Sequence, residues 1–245
     1  MSVYARAAAI VAGAGRGERM DNKEGKQFLE LAGIPVLARS LLNVQAVAEV
    51  EEIVLVVNAG DIERAGEQIV SPYGLTKVTD IVGGGERRQE SVFRALRALS
   101  SSAEIVVVHD GARPLATPGL FRRAIRAIKD CDCEGVITAV PVVDTVKEVE
   151  GGWVLRTPER ERLWAVQTPQ CFRSPALVDA HERAHREGIW ASDDAALLER
   201  YHYHIRVVEG ELTNLKITYA SDLVLARALL EKGGLEVAVP GRPGL

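Results

Sequence analysis

Apolar runs that alternate with amphipathic stretches along most of the chain are the feature that most restricts its fold. Ala5 to Ala12, Glu52 to Asn58, Lys77 to Val82, Ile105 to His109 and Gly135 to Val140 carry too little polar character for strands with one wet face. They predict strands buried on both sides, as in a mostly parallel sheet. Amphipathic stretches at Pro35 to Val47, Asp61 to Val70 (with Asp61 as its cap) and Pro118 to Lys129 predict the intervening helices. Leu163 to Thr168 and His204 to Glu209 add strands. Pro175 to Glu187, the stretch after Ser192-Asp193-Asp194 through Arg200, and Ser221 to Leu230 add helices. The pattern predicts an α/β fold, a mostly parallel sheet with helices on both faces.

One segment breaks the alternation. Val146 to Val149 and Trp153 to Leu155 flank Gly151-Gly152, which predicts a β-hairpin inserted as an arm at about residues 141–160. Such a hairpin is too short to be stable alone, so it should pack on something; a second copy of the chain is the economical candidate, and its own domain is the alternative. The remaining expectation is a single domain over residues 1–232 and a frayed tail over 233–245.

Of the 245 residues, 47% are hydrophobic and 26% charged, which suits a globular chain long enough to bury a substantial core. A net charge of −4 argues against broad nucleic-acid binding. The apolar run ending at Val11 is too short to cross a bilayer, so no membrane partner is expected and the cytoplasm is the expected location. Cys131, Cys133 and Cys171 lack metal-ligand spacing and are expected as reduced structural thiols.

Two glycine-rich loops follow predicted strands. The first runs from Ala12 through Gly13, Ala14, Gly15 and Gly17 to Lys26, and holds Arg16, Arg19, Lys23 and Lys26 as well. It lacks the hydroxyl residue after Gly25-Lys26 that a P-loop needs, and its third glycine falls one place early for a dinucleotide fingerprint. Its composition still suits phosphate, through backbone N–H groups and full cationic charges. The second, Gly83-Gly84-Gly85-Glu86-Arg87-Arg88-Gln89-Glu90-Ser91, opens a predicted helix to about Leu99. In this architecture both loops converge on one crevice at the carboxyl ends of the strands, where a nucleotide fits.

Asp110, at the carboxyl end of the most apolar short strand, is placed at the mouth of that crevice to hold a cation or substrate hydroxyls. The competing reading, a cap for the helix near Pro118, is disfavoured by the intervening residues. His109 reads as strand-end packing. Lys216, in an apolar run, is either functional or exposed at a strand end. Ser192-Asp193-Asp194 reads as a cap.

The motifs resemble, in order and spacing, the 2-C-methyl-D-erythritol 4-phosphate cytidylyltransferases of the non-mevalonate isoprenoid pathway. The resemblance runs from Ala9 to about Leu230. It rests on the glycine run to Arg19-Met20, Lys26-Gln27-Phe28, Arg88-Gln89-Glu90-Ser91-Val92, His109-Asp110-Gly111-Ala112-Arg113-Pro114 and Pro141-Val142-Val143-Asp144-Thr145-Val146-Lys147. Arg160, Thr168-Pro169-Gln170, Ser192-Asp193-Asp194 and Asn214-Leu215-Lys216-Ile217-Thr218 complete it. The chain departs from the family pattern at Val11 to Gly15, at Gly25 before Lys26, and at Glu90.

The resemblance implies a Rossmann-like nucleotidyltransferase that moves CMP from CTP to 2-C-methyl-D-erythritol 4-phosphate and releases pyrophosphate, with magnesium as the divalent cation. Arg19 and Lys26 are implied at the triphosphate, and Arg160 and Lys216 at the methylerythritol phosphate, as catalytic cations. The nucleotide is implied at Ala12, Gly13, Ala14, Gly15, Gly84, Gly85, Ser91, Asp110 and Ala112, with Asp110 also near the metal. Arg113, Asp144, Thr145, Thr168 and Thr218 are implied at the second substrate, Thr145 and Arg113 reaching it from the partner of a homodimer built on the hairpin arm. A ribitol 5-phosphate cytidylyltransferase is the alternative, sharing the fold, CTP and the first loop. A sugar-phosphate uridylyl- or guanylyltransferase and a catalytically silent nucleotide-binding protein are more distant ones.

Overall fold

The computed structural model describes residues 6–15, 25–100 and 103–233. Arg16, Arg19, Lys23 and the expected tail beyond 233 lie outside the described residues, and for Lys26 only the backbone is described.

In chain order the elements are β1 (Ala7–Ala12), β2 (Glu30–Leu31), β3 (Ile34–Pro35), α1 (Val36–Gln45), β4 (Val50–Val57), α2 (Ile62–Ala65), β5 (Val78–Gly83) and α3 (Arg88–Leu96). They continue as β6 (Ile105–Asp110), α4 (Pro118–Lys129), β7 (Gly135–Pro141), β8 (Glu148–Glu150), β9 (Trp153–Arg156) and β10 (Trp164–Arg173). The last are α5 (Ser174–Glu187), α6 (Asp194–Arg200), β11 (Ile205–Glu209) and α7 (Ala220–Gly233). Seven strands form one sheet in the order β11-β7-β10-β6-β1-β4-β5. Every pairing in it is parallel except those of β10, which runs antiparallel between β6 and β7.

Both faces of the sheet are apolar, and strand alternation decides which residue meets which helix layer. Ala7, Ala9 and Val11 of β1, with Ile105 and Val107 of β6, pack against α1 and α4 through Leu37, Leu41, Leu120 and Phe121. Ile10, Val54, Val56, Val106 and Val108 face the other way, onto Val92 and Ala95 of α3 and Leu177 and Ala180 of α5. The same alternation sends His109 toward Phe121 of α4, with ring centroids 4.8 Å apart. Asp110, one residue on, therefore points to the α3 side.

The β8–β9 hairpin pairs only with itself among the described strands, and every residue of its two strands is exposed. Gly151 and Gly152 have φ of +56° and +85°, the left-handed pair that a two-residue hairpin turn requires. It carries Val149, Trp153, Val154 and Leu155 in solvent, with Val143 and Trp164 exposed near its base.

The structure departs from the sequence expectations in four places. The 61–70 stretch is broken into a 3-10 turn, the single turn α2 and a π turn. Asp61 makes no cap bond there; its carboxylate accepts from Asn58 Nδ2 and Gln27 Nε2 instead. Lys216 lies in the irregular stretch from Asn214 to Thr218, beyond the end of β11, rather than at a strand end. Cys131 and Cys133 are joined in a disulfide, because the turn after α4 brings their Cα atoms to 5.4 Å, within bridging range. Cys171 is the free, buried thiol, and burial pushes its pKa up, so it stays protonated.

Candidate active site

A cleft of about 1170 Å³ opens at the carboxyl ends of the parallel strands. The chain winds from β1 outward to β4 and β5, then returns to the opposite side of β1 as β6. The crevice at such a reversal is where open α/β sheets bind ligands. Ala12 and Asp110 are paired Cα partners across it.

The two glycine loops meet there. Gly13 N–H donates to Val56 O and Gly84 N–H to Val57 O, each at 2.7 Å, so both loops are tied to the end of β4. A Cβ on Gly84 would lie 2.6 Å from Ala14 Cβ, so only glycine allows the loops this close. Ser91 Oγ accepts from Gly85 N–H at 3.0 Å and donates to Arg87 O at 3.0 Å, which shapes the second loop from within.

The polar floor is built around Asp110. Its Oδ1 accepts from Arg88 Nε at 3.2 Å and its Oδ2 from Lys216 Nζ at 2.7 Å. Burial works against the charged carboxylate, but Arg88 and Lys216 outweigh it and hold the group well below the usual range. From behind, Thr168 Oγ accepts from Asp110 N–H at 3.0 Å and lies 2.9 Å from His109 Nδ1. Burial lowers the His109 pKa to about 3, so the ring is neutral.

Lys216 is presented by a clamped loop. Asn214 Nδ2 donates to Gln167 Oε1 and Thr168 O, and Ile217 N–H donates to Ala112 O at 2.8 Å. Ile217 is buried by this arrangement while the Lys216 side chain stays 43% exposed, facing the cleft. Thr218 lines the cleft beside it, with its N–H on Asp222 Oδ2. Thr117, not Asp110, caps α4.

Of the residues singled out in the sequence, Ala12, Gly13, Ala14, Gly15, Gly84, Gly85, Ser91, Asp110, Ala112, Lys216 and Thr218 share this cleft. Thr168 is buried behind it. Arg113 donates to Asn214 O at 2.7 Å and Val166 O at 3.4 Å and does not line it. Asp144, Thr145 and Arg160 are exposed on the arm, where Arg160 donates to Val143 O at 3.1 Å. Arg19 lies outside the described residues.

Sequence reasoning missed Arg88 as part of the floor and treated Asp194 as part of a cap. Arg88 Nη1 donates to Asp194 Oδ2 at 2.6 Å. One signal was present: a cation in the first helical turn opposes the helix dipole, so it calls for an acidic partner.

A family model described as 2-C-methyl-D-erythritol 4-phosphate cytidylyltransferase matches residues 7–232. The proteins of that name from Geobacter metallireducens and Pelotomaculum thermopropionicum are 41% and 44% identical to this chain. Their matches span 91% and 92% of it and 97% and 94% of the relatives. A crystal structure of 4-diphosphocytidyl-2C-methyl-D-erythritol synthase from Anaerococcus prevotii superposes with a TM-score of 0.81 at 33% identity, covering 94% of this chain and 97% of that one. The 2-C-methyl-D-erythritol 4-phosphate cytidylyltransferase of Thermus thermophilus gives 0.75 at 34% identity over 92% and 99%.

Proposed function

The chain belongs to the 2-C-methyl-D-erythritol 4-phosphate cytidylyltransferase family, and on that premise we propose that it transfers CMP from CTP to 2-C-methyl-D-erythritol 4-phosphate. A phosphate oxygen of the acceptor attacks the α-phosphorus in line and forms the new P–O bond. The bond from the α-phosphorus to the bridging oxygen of the β-phosphate breaks, pyrophosphate leaves, and 4-diphosphocytidyl-2-C-methyl-D-erythritol remains.

The observation that carries this reading is the Lys216–Asp110–Arg88 floor beneath two converging glycine loops. The nucleophile is already an anion and the leaving group is already good, so the protein has to position two polyanions and offset their charge. The backbone from Ala12 to Gly15, with Gly84, Gly85, Ser91, Asp110 and Ala112, would hold the nucleotide. Arg19 and Lys26 would meet the triphosphate. Lys216, released from Asp110, would meet the acceptor phosphate, with Thr218 beside it. Thr168 acts behind Asp110.

Asp144, Thr145 and Arg160 sit on an arm whose apolar surface is left in solvent, with Trp153 80% exposed. Contiguous exposed apolar surface marks an interface. In our proposal two copies exchange arms, bringing Thr145 and Arg160 over the partner's cleft, and Arg113 supports that acceptor site.

Among the described residues no cluster of three or more acidic, histidine or cysteine side chains stands ready for a metal. That suits magnesium, which binds through substrate phosphates and one or two carboxylates rather than a protein cage. Asp110 is the carboxylate that would hold it, once Lys216 has exchanged to phosphate. When bound, the cation would offset triphosphate charge.

Phosphorus NMR of the chain with CTP, magnesium and 2-C-methyl-D-erythritol 4-phosphate tests the reaction. The expected result is a new pair of coupled diphosphate signals growing with pyrophosphate; unchanged CTP would contradict it.

A further inference from the structure

The charged floor of the cleft continues away from the ligand space. Arg88 occupies the first position of α3 and reaches two carboxylates, Asp110 through Nε at 3.2 Å and Asp194 through Nη1 at 2.6 Å. Asp194 is 1% exposed, and its other oxygen lies 3.0 Å from His181 Nε2. That ring is fully buried and stacked on Phe93, with no partner at Nδ1. Facing a carboxylate, Nε2 carries the proton. Lys216, Asp110, Arg88 and Asp194 thus form a row of alternating charge that cancels in total.

The same turn of α3 grips the segment that carries Asp194. The Arg87 guanidinium lies 4.3 Å over the Trp190 ring. Gln89 donates to Ile189 O and accepts from Ala191 N–H, both at 2.9 Å. Arg88 completes the grip at Asp194. The second glycine loop, the Asp194 segment and Asp110 are therefore held in one register by three consecutive side chains.

We infer that Asp194, backed by His181, is a positioning residue for the transfer reaction. A guanidinium beside a polyanion site is drawn to phosphate, and an Arg88 that moved there would leave Asp110 unpaired when Lys216 departs. Asp194 holds Arg88 back and commits its free edge to Asp110. When phosphate takes Lys216 from Asp110, Arg88 keeps that buried carboxylate paired. The inference rests on the proposed reaction for the identity of the substrates.

Asp194→Asn keeps the size of the side chain and an acceptor for His181 while removing the charge. The expected result, with rates corrected for folded protein by thermal melting, is a fall in kcat of at least tenfold and a KM for CTP that does not rise. Arg88→Lys keeps the charge but cannot bridge two carboxylates, so it should show the same pattern. The double variant should then be no slower than Arg88→Lys alone. Unchanged kcat in Asp194→Asn, or multiplicative losses in the double variant, would overturn the inference.

A readout without turnover separates this from the function itself. Hydrogen exchange of the Arg88 Nε–H, followed by nitrogen NMR, should be slow in the parent chain and at least tenfold faster in Asp194→Asn. If the parent fails to use CTP and methylerythritol phosphate, the proposed reaction falls while this exchange ratio still judges the positioning. Equal exchange in both proteins would overturn the positioning even in an active enzyme.

Discussion

Lys216 Nζ lies 2.7 Å from Asp110 Oδ2, joining the loop after β11 to the carboxyl end of β6 across the mouth of the cleft. The amine is aimed before any substrate arrives, because Asn214 and the Ile217 backbone hold the loop on either side. Lys216→Ala should therefore cost transition-state stabilisation of about 2.7–4 kcal/mol, a fall of roughly 10² to 10³ in kcat. Steady-state rates check it, and near-normal kcat would remove Lys216 from the mechanism.

Arg19→Ala and Lys26→Ala should each lower kcat by a similar amount, about 2–4 kcal/mol, if both cations meet charge that builds at the triphosphate. A variant that changes only the KM for CTP would assign that residue to ground-state binding.

The arm prediction is geometric. Trp153→Glu should convert a dimer to a monomer in sedimentation and raise the KM for the acceptor phosphate, because Thr145 and Arg160 would leave the partner's cleft. Mixing an Arg160→Ala chain with a Lys216→Ala chain should restore activity in about a quarter of the sites at equal amounts, by random pairing of copies. Sites complete within one chain would give no such rescue.

Gly84→Ala places a methyl group 2.6 Å from Ala14 Cβ. Overpacking of this kind costs about 1–3 kcal/mol. Part of that cost should appear as a raised Kd for CTP, since the two loops must separate to admit the methyl group. Calorimetric titration with CTP measures it.

His109 predicts how stability depends on pH. Burial holds its folded pKa at about 3, below the unfolded value near 6.5. The unfolded chain therefore binds the extra proton first. The stabilisation is complete above pH ~6.5 and is lost as pH falls toward 3, at up to about 1.4 kcal/mol per unit. His109→Gln keeps a hydrogen-bonding group beside Thr168 and should flatten this slope in urea unfolding between pH 4.5 and 7.

Local patterns made much of this structure legible. Apolar runs without polar alternation marked β1, β4 and β6 as strands covered on both faces, and α4 begins and ends where its proline and its amphipathic stretch do. Relationships between distant residues were not legible. The antiparallel direction of β10 follows from the arm inserted before it, which no periodicity encodes. The Arg88–Asp194 pair spans 106 residues of chain, so neither partner's neighbours point to the other. Thr168 belongs to the right motif, but its burial behind Asp110 depends on how β10 sits beside β6.

The rate of pyrophosphate release with CTP and magnesium, compared between 2-C-methyl-D-erythritol 4-phosphate and ribitol 5-phosphate, tests the central claim most directly. Fast release with the methylerythritol phosphate, lost when UTP replaces CTP, is the predicted result. Preference for ribitol 5-phosphate, or no release with either acceptor, would contradict it.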